Sequence, residues 1–135
     1  MDVKGLFDKY CYKIKENEYE CHSTIIKLIP ATPKELEGFK ALCREHGVDQ
    51  RIEDELADFY SQCHSLFNYF VCNDSAIFDW WQSPTQRKIW MAAIDDICFI
   101  YDDVSKKYAY GYAGGKEFGE FDTLEELLTD YIRND

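Results

Sequence analysis

The spacing of the apolar residues changes near Leu66, and this change restricts the fold more than any other feature of the sequence. Before Leu66, apolar side chains recur every three or four residues, as in helices that bury one face. After it, short runs of aromatic and β-branched residues are separated by polar breaks, which is typical of strands. The sequence therefore predicts an α+β domain in which helices precede an antiparallel sheet.

Three helices are predicted in the first half of the chain. The first spans 3–14, and a charged connection (KENEYE) and a short strand (TIIKLI) follow it. The second begins where Thr32 and Glu35 can form a capping box, and it stops at Gly47. The third runs over 49–63. Each helix carries an apolar stripe, so each is expected to pack against the rest of the domain.

The second half predicts a twisted antiparallel sheet of four to six strands. The runs SLFNYFVC, AIFDWWQ, RKIWMAAI, ICFIYD and YAYGYAG are joined by short polar breaks, which favours a meander. A C-terminal helix then begins after Asp122-Thr123, and N-terminal and C-terminal helices are expected to pack on the sheet. The predicted buried face of the last helix consists of Leu124, Leu127, Leu128, Tyr131 and Ile132. All of 1–135 is assigned to one domain.

Composition indicates a packed, cytoplasmic protein, and no cofactor is predicted. Hydrophobic residues make up 46% of the 135 residues and aromatic residues 16%, enough for a core. No apolar run approaches the roughly 20 residues of a membrane helix, and the N-terminus has no signal-peptide centre. The six cysteines contain no C-x-x-C spacing, so we expect buried free thiols rather than a zinc site or a disulfide framework.

The charge is unevenly distributed along the chain. The formal net charge is −11, and residues 95–135 contribute −7 of it, with 11 acidic and 4 basic residues. Binding of nucleic acid through phosphates needs clustered Lys and Arg, so this function is disfavoured. Solubility is one explanation of the acidic last third. The other is a basic protein partner.

Two Asp-Asp pairs, Asp95-Asp96 and Asp102-Asp103, are the first candidates for chemistry. Neighbouring residues on a strand point to opposite faces, so neither pair readily chelates one ion. The calcium-loop pattern of alternating oxygens, a central Gly and a late Glu is also missing. We therefore interpret the pairs as strand ends and turns, with partner binding as the functional alternative. No catalytic or metal-binding residue is predicted.

Other motifs that could carry chemistry are weak. The dipeptides Cys21-His22 and Cys63-His64 have nothing beyond composition to indicate a nucleophile and its base. The Gly-rich loop at 111–116 departs from the phosphate-loop pattern at its first Gly and after its Lys. These segments are interpreted as core, helix-end and loop residues.

Two aromatic residues complete the predicted partner-binding set. Trp80 and Trp81 should point to opposite faces of a strand, so one can pack in the core while the other meets solvent; Trp81 is taken as the interface candidate. Tyr110 shares a face with Tyr108 and Tyr112. Those tyrosines either cover the helices or line a groove.

The order of elements resembles the SUKH superfamily, the Smi/Knr-type proteins. The resemblance covers roughly residues 25–133 and rests on four stretches: IPATPKELEGFKALCREHG, IEDELADFYSQCHSLF, IWMAAIDDICFIYDDVSKKYAYGY and EFDTLEELLTDYI. It is one of element order and apolar pattern. The resemblance implies a non-enzymatic binding protein, with a bacterial immunity protein that neutralises a toxin, often a nuclease, as the leading function. The alternative is a regulator of cell-wall glucan synthesis, and an uncharacterised enzyme is a weaker one.

Overall fold

The computed structural model describes residues 1–64, 71–94, 96–112 and 117–133. Its helices are α1 (Val3–Tyr10), α2 (Pro33–His46), α3 (Gln50–Cys63) and α4 (Leu124–Arg133), with a 3-10 helix at Ser75–Phe78. Its strands are β1 (Tyr12–Lys15), β2 (Glu18–Cys21), β3 (Thr24–Lys27), β4 (Trp81–Ser83), β5 (Gln86–Ile94), β6 (Ile97–Asp102), β7 (Lys107–Tyr112) and β8 (Glu117–Phe121). The predicted α+β class, with N-terminal helices and a C-terminal helix, is confirmed.

The strands form two antiparallel sheets, each a simple meander. One has the order β1-β2-β3, and the other has the order β4-β5-β6-β7-β8. Each strand of the larger sheet pairs with its neighbour in sequence, as short polar connections predict. The larger sheet has five strands, within the predicted range. The separate three-stranded sheet was not predicted.

The first helix is shorter than its apolar spacing predicts. It ends at Tyr10, and the chain continues as β1, in which Ile14 is exposed rather than part of a helical stripe. Asn17 adopts a positive φ of 63° and turns the chain into β2, so KENEYE is a hairpin and not a simple connection. Pairing with the strand that buries Tyr19 outweighs the helical spacing, because burial of a large aromatic exceeds a few tenths of a kcal/mol of propensity.

The stretch AIFDWWQ is mostly not a strand. Asp74 accepts a hydrogen bond from the backbone N–H of Ala76 at 2.9 Å, and this local cap starts the 3-10 helix. Extended structure begins only at Trp81. The predicted strand SLFNYFVC lies largely outside the described residues, and its described end, Val71-Cys72, carries no strand.

The predicted helix boundaries in the middle of the chain are confirmed. Thr32 and Glu35 form the reciprocal capping box, and Gly47 ends α2 with a positive φ of 72°. Asp49 caps α3 through the N–H of Arg51. These termini were readable from sequence because their signals lie within four residues of one another.

The core lies between the helices and one face of the larger sheet. The face of α4 predicted to be buried is buried, and Tyr131 packs against Phe99 and Tyr110 at ring-centroid distances of 5.0 and 5.6 Å. The strand β8, which precedes α4, was not predicted from the sequence. Within the described ranges, no helix has the length and apolar character that crossing a membrane requires.

Candidate functional site

An open groove of about 880 Å³ lies between the last strand and the last helix. Its described lining consists of Phe121, Thr123, Glu125, Glu126, Thr129, Asp130 and Arg133. Phe121 belongs to β8, and the other side chains come from the start and the outer surface of α4. The groove exists because α4 turns its apolar stripe to the sheet and leaves its polar face outward.

The groove is positioned by hydrogen bonds at the start of α4. The backbone N–H of Leu124 donates to Glu55 Oε1 of α3 at 2.7 Å, and that of Glu126 donates to Thr123 Oγ1 at 3.2 Å. These bonds satisfy two of the four free N–H groups of the helix. The bond to Thr123 lies at the helix start that the sequence predicts, whereas the contribution of Glu55 comes from 69 residues away and was not foreseen.

Tyr110 lies beneath this groove rather than in it. The ring is 5% exposed and stacks on Phe121 at 6.1 Å, and the hydroxyl donates to Asp130 Oδ2 at 2.6 Å. The sequence left two interpretations of the three tyrosines open. Tyr108 and Tyr110 are buried and cover the helices, whereas Tyr112 is 56% exposed. Tyr110 therefore acts on the groove by fixing the carboxylate of Asp130.

The groove has an excess of negative charge. Glu125 and Glu126 are exposed, and neither they nor Asp130 forms an ion pair with any residue in the described ranges. Arg133 is the basic lining residue, and its guanidinium lies 5.2 Å from the ring centre of Tyr10. Glu125 and Glu126 also complement the positive end of the helix dipole, but Asp130 lies beyond the first turn, where this effect fades.

Beside the groove, one acidic residue is already neutralised. Asp122 accepts a hydrogen bond from the ammonium group of Lys107, and this bond raises the pKa of Lys107. Both side chains are substantially exposed. The free negative charge therefore belongs to α4 rather than to the turn before it.

The structure brings two of the predicted residues, Trp81 and Asp103, into a separate cluster. Asp103 is 4% exposed and accepts from Arg87 at 2.6 Å and Lys106 at 2.8 Å. Arg87 also lies over the ring of Trp81 at 4.7 Å. Asp103 is thus an internal counter-ion and lacks the exposure that a docking residue needs, so we leave it out of the proposed surface.

Neither tryptophan of the Trp80-Trp81 pair is fully exposed. Trp81 is half-buried and packs on Phe78 at 5.7 Å and on His46 at 6.1 Å. Trp80 is also half-buried, and its ring packs on Trp90 at 4.6 Å. An anchoring role for Trp81 at an interface therefore stays a prediction, and its ring already packs on Phe78, His46 and Arg87.

The remaining predicted residues lie apart from one another. Asp102 accepts from the N–H of Val104 at 2.9 Å, as expected for a turn residue. Asp96 is exposed in the turn between β5 and β6, at the other end of the sheet, and Asp95 lies outside the described residues. The predicted set does not form one site. The groove acids Glu125, Glu126 and Asp130 were missed, although the acidic last third of the sequence contained their signal.

The described cysteines and histidines show structural contacts. Burial raises the pKa of the Cys43 and Cys72 thiols to about 12, and burial also raises that of Cys63. His22 Nε2 lies 2.6 Å from the carbonyl oxygen of Tyr131, near the C-terminal end of α4. A thiol needs to ionise to act as a nucleophile, so these raised pKa values oppose that chemistry. No group of three potential metal ligands occurs within the described ranges.

Comparison of the chain with family models, curated proteins and solved structures finds no significant match.

Proposed function

We propose that this chain is a non-enzymatic protein-binding module whose β8–α4 groove docks a basic protein domain. The observation that carries this proposal is the set of three groove carboxylates, Glu125, Glu126 and Asp130, which form no ion pair with any described residue. In a domain of net charge −11, such a surface favours association with a cationic surface.

Within this class, we propose an immunity protein that neutralises a toxin inside the producing cell. The resemblance to Smi/Knr-type proteins supports the class, and the acidic groove supports a basic toxin domain such as a nuclease. A nuclease surface that binds phosphates is rich in Lys and Arg. An acidic groove that covers that surface would compete with the nucleic acid for it.

The test uses co-expression of the chain with a candidate basic toxin domain. Cell survival and the salt dependence of the binding rate are measured for the wild type and for Glu125→Lys combined with Glu126→Lys. Both positions are exposed, but they lie in the first turn of α4, where the helix dipole favours acidic residues, so a urea transition is used to check that the variant is folded. We expect the association rate at low salt to fall about tenfold or more, because complementary fields steer the encounter.

The matched control reverses the same number of charges away from the groove. Glu37 and Glu45 are exposed on α2, and Glu37→Lys with Glu45→Lys gives the same net charge as the groove variant. Equal protection and equal rates for the two double variants would show that the groove is not the docking surface. Loss of protection in the groove variant alone would support it.

A further inference from the structure

The last strand of the larger sheet is an edge. In the order β4-β5-β6-β7-β8, the strand β8 pairs with β7 on one side, and no strand among the described residues lies on its other side. An edge strand presents unpaired backbone groups that can pair with an incoming chain. This edge forms one wall of the acidic groove through Phe121.

The hydrogen-bond register shows which backbone groups face outward from β8. The N–H of Asp103 donates to the carbonyl of Arg87 at 2.8 Å, so this pair is hydrogen-bonded and the alternation can be followed strand by strand. Counting across β6 and β7 makes Tyr108–Phe121 and Tyr110–Gly119 hydrogen-bonded pairs.

Glu120 lies between those two pairs, opposite Ala109. Its backbone N–H and C=O therefore point away from β7 and toward the open edge. The side chain of Glu120 is exposed, on the face of the sheet opposite to Phe121. Within the described part of the chain, no backbone group pairs with this N–H or C=O, so both can bond an added strand.

We infer that β8 takes an extended basic segment of the partner as a sixth strand. In an added strand, every second side chain would face the α4 side of the sheet, where Glu125, Glu126 and Asp130 lie. A segment with Lys or Arg at alternate positions would place its cations against these carboxylates. Main-chain hydrogen bonds to Glu120 would supply affinity, and the alternating charges would supply register.

This inference rests on the proposed function and specifies how the groove recognises its partner. A helix or a rigid convex surface could also meet the acidic groove, but neither would use the backbone N–H of Glu120. The backbone and the charges can therefore be tested independently of each other.

The test compares two substitutions at one position. Glu120→Pro removes the outward N–H and leaves the bonds to β7 intact, since proline is tolerated where an edge N–H faces solvent. Glu120→Gln removes the same charge and keeps the N–H. The probe is a fluorescein-labelled ten-residue peptide of alternating Lys and Thr, and binding to the full chain is followed by fluorescence anisotropy.

We expect Glu120→Gln to weaken peptide binding by less than about threefold and Glu120→Pro by about tenfold or more, because a lost main-chain bond adds to a ring that obstructs the edge. Circular dichroism and a urea transition confirm that both variants are folded. If Glu120→Pro does not fold, the peptide is N-methylated at alternate residues instead. This removes N–H groups of the added strand and tests the same main-chain bonds.

The outcomes separate the two proposals. Equal binding by the Pro and Gln variants, with loss of binding in Glu125→Lys with Glu126→Lys, would overturn strand addition and retain acidic docking. Failure of the wild type to bind the peptide while it still protects against the toxin would overturn strand addition in the same way. Binding that is indifferent to the groove charges would contradict the proposed function itself.

Discussion

The hydroxyl of Tyr110 donates a hydrogen bond to Asp130 Oδ2 at 2.6 Å, and this bond fastens β7 to α4. The ring of Tyr110 simultaneously stacks on Phe121, so one residue holds both walls of the groove. Because the hydroxyl is a neutral donor, it holds the carboxylate in place without cancelling its charge, which stays available to a partner.

Removal of this hydroxyl should lower the stability of the fold without leaving a cavity in the core. Tyr110→Phe keeps the stacked ring, and we expect the free energy of unfolding to fall by about 1–2 kcal/mol, since the lost bond has a charged acceptor. Urea denaturation measures this change. Tyr12→Phe, at a tyrosine that is 72% exposed, is the control and should change stability by less than about 0.5 kcal/mol. Equal effects would show that the Tyr110–Asp130 bond contributes nothing.

The cap that Glu55 provides for α4 gives a second prediction. Glu55→Ala leaves the N–H of Leu124 without its acceptor, and we expect a loss of about 1–2 kcal/mol, as for other helix caps. Glu55→Gln retains a carbonyl oxygen at the same place and should recover more than half of that loss. Urea denaturation of the wild type and of both Glu55 variants measures these losses of stability. A Gln variant no better than Ala would mean that the bond is not the source of the effect.

The cluster of Trp81, Arg87 and Asp103 should be important for stability rather than for binding. Asp103→Asn keeps the shape of the side chain but leaves two cations without their counter-ion. We expect a loss of about 1–3 kcal/mol, below the range for fully buried pairs because Arg87 and Lys106 are partly exposed. Partner binding by the folded variant should be unchanged. A binding defect in a variant of normal stability would return Asp103 to the docking surface.

The capping box of α2 predicts a pH dependence of stability. The backbone N–H of Thr32 donates to Glu35 and lowers the pKa of that carboxyl below its ordinary value of 4.5. A pKa that is lower in the folded state stabilises the fold above the ordinary value, and the contribution is lost as pH falls through the lowered pKa. Glu35→Gln should therefore lose less stability than the wild type between about pH 5 and pH 3.

Urea midpoints across that acid range measure the effect at Glu35. Glu37→Gln is the control, because Glu37 is exposed on the same helix and outside the capping box. The pH profile of the Glu37 variant should follow that of the wild type. Identical profiles for the two variants would show that the capping box does not carry the pH dependence.

Prediction from sequence succeeded where the signal is local. The capping box of Thr32 and Glu35, the stop at Gly47 and the buried stripe of α4 each depend on residues within a few positions of one another. It was wrong where strand pairing and burial override helical spacing. Ile14 has helical spacing in the sequence, yet β1 pairs with β2 and leaves it exposed.

The sequence likewise predicted one part of the candidate site and not the other. The sequence located the negative charge in the last third of the chain, because charge can be counted without knowing the fold. It did not distinguish Asp103, which is buried against Arg87, from Glu125 and Glu126, which are exposed in the groove. Burial and ion pairing depend on which residues meet from distant parts of the chain.

The sequence by itself thus determined the α+β class, most helix ends, the order of the strands β5 to β7 and the sign of the surface charge. These follow from apolar period, capping chemistry and composition, which act over a few residues or over the whole chain. The tertiary structure alone decided that β8 is an edge, that the N–H of Glu120 faces outward and that α4 forms an acidic groove beside it. Those properties arise from strand register and packing, which local residue preferences do not specify.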